Sequence, residues 1–202
     1  MKKQVLHIGP AKSGTVPHGF PAHEWQEVRF DIDPYGKPDI VGDMRDMHMI
    51  ASNSIDAIFS SHTIEHLYPA DVKLAFEEAL RVLRPDGFLL MSCPDLQSIG
   101  SLLAEGKLLE KLYESDEGTI TPIDVIYGFR GYFTLPDRRE AMTHRTGFTL
   151  PIMINSLQSI GFPSVTGKRR LSGYELWVYA SKAPLPEPEL ARRAQQQIPQ
   201  HD

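Results

Sequence analysis

The chain has 202 residues, 41% of them apolar and 23% charged, with a formal net charge of −5. This is the balance of an ordinary globular domain, long enough to bury roughly 70% of the surface its unfolded chain exposes. The acidic balance disfavours a nucleic-acid partner, since the densest basic run is only Lys168-Arg169-Arg170. The single cysteine, Cys93, leaves no internal disulfide and fits a reducing compartment. No apolar run approaches the roughly 20 residues that span a bilayer. The apolar segment after Met1-Lys2-Lys3 is too short for a signal peptide. The expectation is a soluble cytoplasmic protein with no membrane partner.

Val5 to Gly9 reads as a first strand, followed by the loop Pro10 to Thr15. Pro17, Gly19 and Pro21 argue against a long helix there. Glu27 to Ile32 is a second strand, ended by Asp33-Pro34-Tyr35-Gly36, and Asp39 to Val41 a short third. The stretch from Ser54 to Asp95 organises the rest. Ile55 to Phe59 is rich in β-formers, and Leu67 to Leu83 then shifts to helical spacing, with Val72, Phe76, Ala79, Leu80 and Leu83 on one side. Asp71 in the first turn, and Arg81 and Arg84 in the last, suit the helix dipole. Pro85-Asp86-Gly87 is expected to stop the helix before a second apolar run from Phe88 to Met91. This is a βαβ unit and implies a parallel sheet.

Ser98 to Tyr113 reads as helical but broken near Gly106, and residues 114–146 have no clean period, as in a lid or binding insertion. Thr149, Pro151 and Gly161 bound a helix carrying Ile152, Leu157 and Ile160. Ser164 to Arg169 and Tyr174 to Ser181 form an antiparallel edge hairpin. Residues 1–182 are thus one α/β domain, a Rossmann-like, doubly wound, mostly parallel sheet. The segment 183–202, rich in proline, charge and glutamine, is expected to be a flexible tail.

The run FDID…VGDMRDM…NSIDAIFSSHTIEHL…EEALRVLRPDGFLLMSCPDL, with the later HRTGFT…LQSIGF, resembles the class I S-adenosylmethionine-dependent methyltransferases of small bacterial type. The loop after the first strand departs from that pattern, with Gly9-Pro10-Ala11 where the family has Gly-x-Gly-x-Gly. The resemblance implies S-adenosylmethionine as cofactor and methyl transfer to a small-molecule acceptor, a hydroxyl or another oxygen or nitrogen nucleophile.

Ligands of open α/β sheets bind beyond the carboxyl ends of the strands. Gly9 at the end of the first strand lets backbone approach a ligand. Asp31, with Asp33 as the nearby alternative, can accept hydrogen bonds from ribose hydroxyls. By the resemblance, Asp43 and Met44 meet the adenine, and Ser60 and Ser61 lie beside the cofactor. A hydroxyl acceptor needs its proton removed, and His62 or His144 is the expected base, with Arg145 orienting the acceptor. Glu65 reads as a helix-start charge and His66 as a partner packed against the insertion. No metal ligand is expected. Two rival readings stand beside this one. A methyltransferase fold could serve as a non-catalytic binding or scaffold protein. Gly9 to Thr15 is also similar to the phosphosulfate loop of sulfotransferases.

Overall fold

The computed structural model describes residues 1–10, 19–115 and 117–200, and only the backbone of 136–138. Strands β1 (Lys3–Ile8), β2 (Trp25–Asp31), β3 (Ile40–Val41), β4 (Ile55–Ser61), β5 (Leu83–Pro94), β8 (Ser164–Arg170) and β9 (Glu175–Ser181) form one sheet in the order β3-β2-β1-β4-β5-β9-β8. The pairs from β3 to β5 are parallel, and β9 runs antiparallel to both its neighbours. The order reverses between β1 and β4, which makes their carboxyl ends the topological switch point.

Helices cover both faces because alternate side chains of each strand point to opposite sides. Leu6, Ile58, Leu89 and Met91 pack under α1 (Pro69–Val82) and α5 (Leu150–Ile160), against Val72, Phe76, Met153 and Leu157. Val5, Ala57, Phe59, Leu90, Trp177 and Tyr179 face the other way, onto Phe20, Trp25, Ala194 and Ile198. That second face is aromatic, with the Phe20 and Trp25 rings edge-to-face at 4.9 Å and Phe88 stacked on Tyr179 at 4.9 Å.

Two local features differ from the sequence reading. The helix α1 ends at Val82, and Pro85-Asp86-Gly87 is an irregularity inside β5: Ile55 pairs with Leu83, but Ala57 pairs with Phe88. Arg84 therefore lies beyond the helix, and its guanidinium bonds Asp56 at 2.9 Å. The segment expected as a flexible tail instead carries α6 (Glu187–Gln197), followed by the buried Ile198. Its few apolar residues, Leu185, Leu190, Ala194 and Ile198, all pack on the aromatic face. Local composition hides this, because the apolar surface they bury belongs to β4, β5 and β9.

No helix among the described residues links β3 to β4. Side chains of α1 satisfy the backbone of that loop instead. Arg81 donates to the carbonyls of Met47 and Ile50, each at 2.9 Å, and Glu78 accepts from Met47 N at 2.6 Å. The hydrogen bonds from Arg81 hold the Glu78 carboxyl below its ordinary range, against the opposing effect of burial.

The segment expected as an irregular lid has structure of its own. After α2 (Leu96–Ala104) come the hairpin β6 (Tyr113–Ser115) and β7 (Gly118–Ile120), then α3 (Pro122–Tyr127), a 3-10 turn at Arg130–Thr134 and α4 (Pro136–Met142). A small cluster of Ile99, Ile120 and Val125 joins it to α2. Thr121 and Asp124 form a reciprocal cap on α3, and Arg130 donates to Asp124 at 2.7 Å. No helix among the described residues is long and apolar enough to cross a membrane.

Two outcomes test this packing. Ile198→Ala should cost about 2 to 4 kcal/mol in urea unfolding, whereas truncating the exposed Leu74 should change stability by less than about 0.5 kcal/mol. A group whose carboxyl is depressed by folding stabilises the fold above its ordinary value and loses that contribution as pH falls. Glu78→Gln should thus lower stability by about 1 kcal/mol at neutral pH, and the deficit should shrink as urea midpoints are followed to pH 3.

Candidate functional site

The carboxyl ends of β1, β2, β3 and β4 meet at the switch point, and they carry the residues expected for a cofactor. Gly9 follows β1 with φ of +70°. Its backbone N–H donates to Phe30 O at 3.0 Å. A Cβ on Gly9 would collide with Thr63 Oγ1, which itself donates to Ser61 O at 3.1 Å. Glycine is needed here so that the chain leaving β4 can cross the end of β1. The rest of the loop similar to that of sulfotransferases, residues 11–15, lies outside the described residues.

Asp31 and Asp33 separate clearly. Asp31 ends β2 and accepts from Asp33 N through Oδ1 at 2.9 Å. Asp33 Oδ1 accepts from Tyr35 N at 2.8 Å and so caps the 3-10 turn at Pro34–Gly36. Asp43 follows β3 but faces Arg45. Oδ1 accepts from Arg45 N and Nε at 2.9 and 3.0 Å, while Oδ2 accepts from Nε and a terminal nitrogen at 2.9 and 2.5 Å. Those bonds hold the Asp43 carboxyl below its ordinary value despite partial burial. Arg45 also reaches Asp71 at 2.7 Å, so the pair fastens the loop after β3 to α1. Met44 is buried. Ser60 is buried with no hydrogen-bond partner for its hydroxyl among the described residues, and the Ser61 and Ser92 hydroxyls bond at 2.8 Å. Exposed Ile32, just beyond Asp31, and exposed Met49, whose methyl group lies against Gly42, add apolar surface at this end of the sheet. Sequence reasoning missed both, although an apolar residue directly after a strand-end aspartate is a readable signal.

A second group forms where β4 meets the lid. His62 has φ of +51°. Its Nε2 bonds Glu175 at 3.1 Å and its Nδ1 stands 3.4 Å from Glu65. Burial lowers its pKa, but the hydrogen bond to Glu175 and the Glu65 carboxylate outweigh that and raise it to about 10. The ring is partly exposed, which screens both pairs. With a carboxylate at each nitrogen, it is nonetheless a cation near neutral pH. Glu175 is bonded in turn by Arg170 at 2.6 Å.

Glu65 is 1% exposed and lies in the middle of the 3-10 turn Ile64–His66. Neither carboxylate oxygen has a hydrogen-bond partner among the described residues. Burial pushes its carboxyl up, but the neighbouring His62 outweighs this and keeps it below the ordinary range. His66 Nδ1 bonds Thr143 O at 3.2 Å and His144 Nδ1 bonds Val125 O at 2.9 Å. A carbonyl can only accept, so each ring carries a proton on Nδ1, and in the neutral ring Nε2 is then bare. The rings meet edge-to-face at 4.9 Å. Burial lowers the pKa of His144, which favours the neutral ring. These side chains line a cavity of about 160 Å³ at the carboxyl ends of β4 and β5, with Tyr113, Phe129 and Tyr174 opposite.

Arg145 is committed elsewhere. Its guanidinium donates to the carbonyls of His66 at 2.8 Å and of Glu140, and packs on the Tyr68 ring at 5.1 Å. Its backbone N–H donates to Glu65 O at 2.8 Å. It clamps the returning end of the lid onto the loop after β4. The expected site residues therefore fall into two places. Gly9, Asp31, Asp33, Asp43, Met44, Ser60 and Ser61 lie around the switch point, and His62, His144 and Arg145 lie at the lid.

Residues 23–91 match the family model described as "Methyltransferase domain". No curated protein matches the chain in sequence. Among solved structures it is similar to a SAM-dependent methyltransferase from Archaeoglobus fulgidus (TM-score 0.59, 13% identity, covering 89% of this chain and 86% of that one). It is also similar to Burkholderia thailandensis 1,6-didemethyltoxoflavin-N1-methyltransferase (TM-score 0.53, 14% identity, 90% and 72%). A third is the CMeT domain of citrinin polyketide synthase (TM-score 0.56, 17% identity), where the match covers 91% of this chain but only 47% of that one. At such identities the structures speak for the fold alone. The family model covers the central stretch alone, and over the rest of the chain the likeness to methyltransferases is one of fold.

Proposed function

We propose that this chain binds S-adenosylmethionine at the switch point between β1 and β4 and methylates a small molecule held under the lid. The observation that carries this reading is the continuity of the chain at the end of β4. Ser61 closes that strand and is followed directly by His62, which lines a cavity with Glu65, His66, His144 and aromatic side chains. The cofactor fits the residues at the switch point in several respects. The Asp31 carboxylate can take ribose hydroxyls, Ile32 and Met49 offer apolar surface to a flat ring, and the unpartnered Ser60 hydroxyl offers a hydrogen bond. Bound there, S-adenosylmethionine supplies an electrophilic methyl group on a sulfonium.

The protein then contributes alignment and exclusion of water. Tyr113, Phe129 and Tyr174 wall the acceptor's side of the cavity, and Arg145 holds the lid closed over it. The acceptor is a hydroxyl or another oxygen or nitrogen nucleophile. Its proton is taken within the Glu65, His66 and His144 cluster, with His144 Nε2 as the first acceptor. His62, already protonated between two carboxylates, serves as their counter-charge rather than as a base.

A second reading rests on Asp43, whose carboxylate is filled by Arg45 and so is poorly placed to receive an adenine amino group. In that case the fold serves as a binding or scaffold module.

Thermal shifts separate these readings. S-adenosylhomocysteine at about 100-fold over its Kd should raise Tm by about 5 °C or more, and Asp31→Ala should abolish the rise. No rise in the wild type favours the scaffold reading, and a rise with adenosine 3′,5′-bisphosphate instead favours a phosphosulfate loop. In a screen with methyl-labelled cofactor and hydroxyl- or amine-bearing acceptors, His144→Ala should lower kcat about 100-fold while keeping the S-adenosylhomocysteine shift. Full turnover by that variant removes His144 from proton transfer.

A further inference from the structure

The described residues contain one cluster that a purely organic pocket does not account for. The donor atoms of Glu65, His66 and His144 lie within 4.8 Å of one another. We propose that these three side chains form a binding site for a single divalent first-row transition-metal ion.

Three independent features point the same way. First, Glu65 is a buried carboxylate whose only close cation among the described residues is the His62 ring, too poorly placed for a good hydrogen bond. Burying a carboxylate without hydrogen bonds is costly, and its closest cation, His62, stands at 3.4 Å and is shared with Glu175. Second, both imidazoles are fixed through Nδ1 by a backbone carbonyl, Thr143 O for His66 and Val125 O for His144. Metal-binding histidines are oriented in this way, since the outer hydrogen bond sets the tautomer and aims Nε2 at the ion. Third, two imidazoles and one carboxylate are a set used for zinc with an open position and for non-haem iron. Magnesium and calcium prefer oxygen donors and fit less well.

The geometry is open rather than closed. Donors at about 2.1 Å from one ion lie roughly 3 to 3.5 Å apart, so the side chains must close by up to roughly 1.5 Å. His66 and Glu65 sit on the same turn after β4, while His144 comes from the far end of the lid. An ion would therefore pin the lid to the sheet, and the cavity leaves room for further ligands. This inference stands apart from methyl transfer, and its test reads the ion and not turnover.

The full, tag-free chain is stripped with a chelator and titrated with Co²⁺, followed by calorimetry and by the visible absorption of the bound ion. One Co²⁺ per chain is expected, displaced by Zn²⁺. His66→Gln and His144→Gln should each weaken Co²⁺ binding about tenfold or more, the lower end of what even outer hydrogen-bond partners contribute. His48→Ala, at an exposed His–Asp pair, should leave it unchanged. Glu65→Gln unpairs His62 and risks unfolding, so the two histidine variants carry the test. Absence of stoichiometric uptake by the wild type overturns the proposal, and so does wild-type affinity in both histidine variants.

Discussion

The buried charge of Glu65 is the constraint on which this end of the molecule depends. An isolated carboxylate inside protein would be neutralised or expelled. Here it stays because His62 stands beside it, Glu175 holds the far side of His62, and Arg170 holds Glu175. This row of alternating charges ties the turn after β4 to the hairpin of β8 and β9. The backbone of Glu65 has a further task, since its carbonyl accepts from both Arg145 N and Thr146 N. One residue thus places a negative charge in the cavity and anchors the end of the lid above it. Side chains far apart in sequence are brought into one coupled unit.

The half of the sheet that carries β2 and β3 is sparsely clothed. No described α-helix separates β2 from β3 or β3 from β4, and the loop from Asp43 to Ser54 takes backbone hydrogen bonds from Arg81 and Glu78 of α1. Arg45 bonds Asp43 and Asp71 in the same service. The far face of the sheet is closed by α6 and by the aromatic cluster around Phe20 and Trp25.

The division between readable and unreadable features follows the distance over which they are encoded. The strands, α1 and α5 announce themselves through periodicity, and Gly161 ends α5 in the left-handed conformation that its position after Ile160 implies. Strand ends then place Gly9, Asp31 and Ser60 around the switch point without further information. Asp33 and Asp43 looked alike in sequence. What separates them from Asp31 is the company they keep, a turn amide for Asp33 and a guanidinium for Asp43. The same holds for His62, which reads as a free histidine until Glu175 arrives from β9.

The sequence by itself determined the βαβ core and the strand ends, because hydrophobic period and turn residues are local properties of the chain. Only the tertiary structure decided what the polar residues at those ends do. It turned Arg145 from a substrate anchor into a lid clamp and packed a tail of charged and glutamine-rich composition onto the sheet. It also gathered Glu65, His66 and His144 around one cavity. Each of these depends on contacts between segments far apart in the chain, and a carboxylate or an imidazole takes its charge, its tautomer and its chemistry from the partner it meets there.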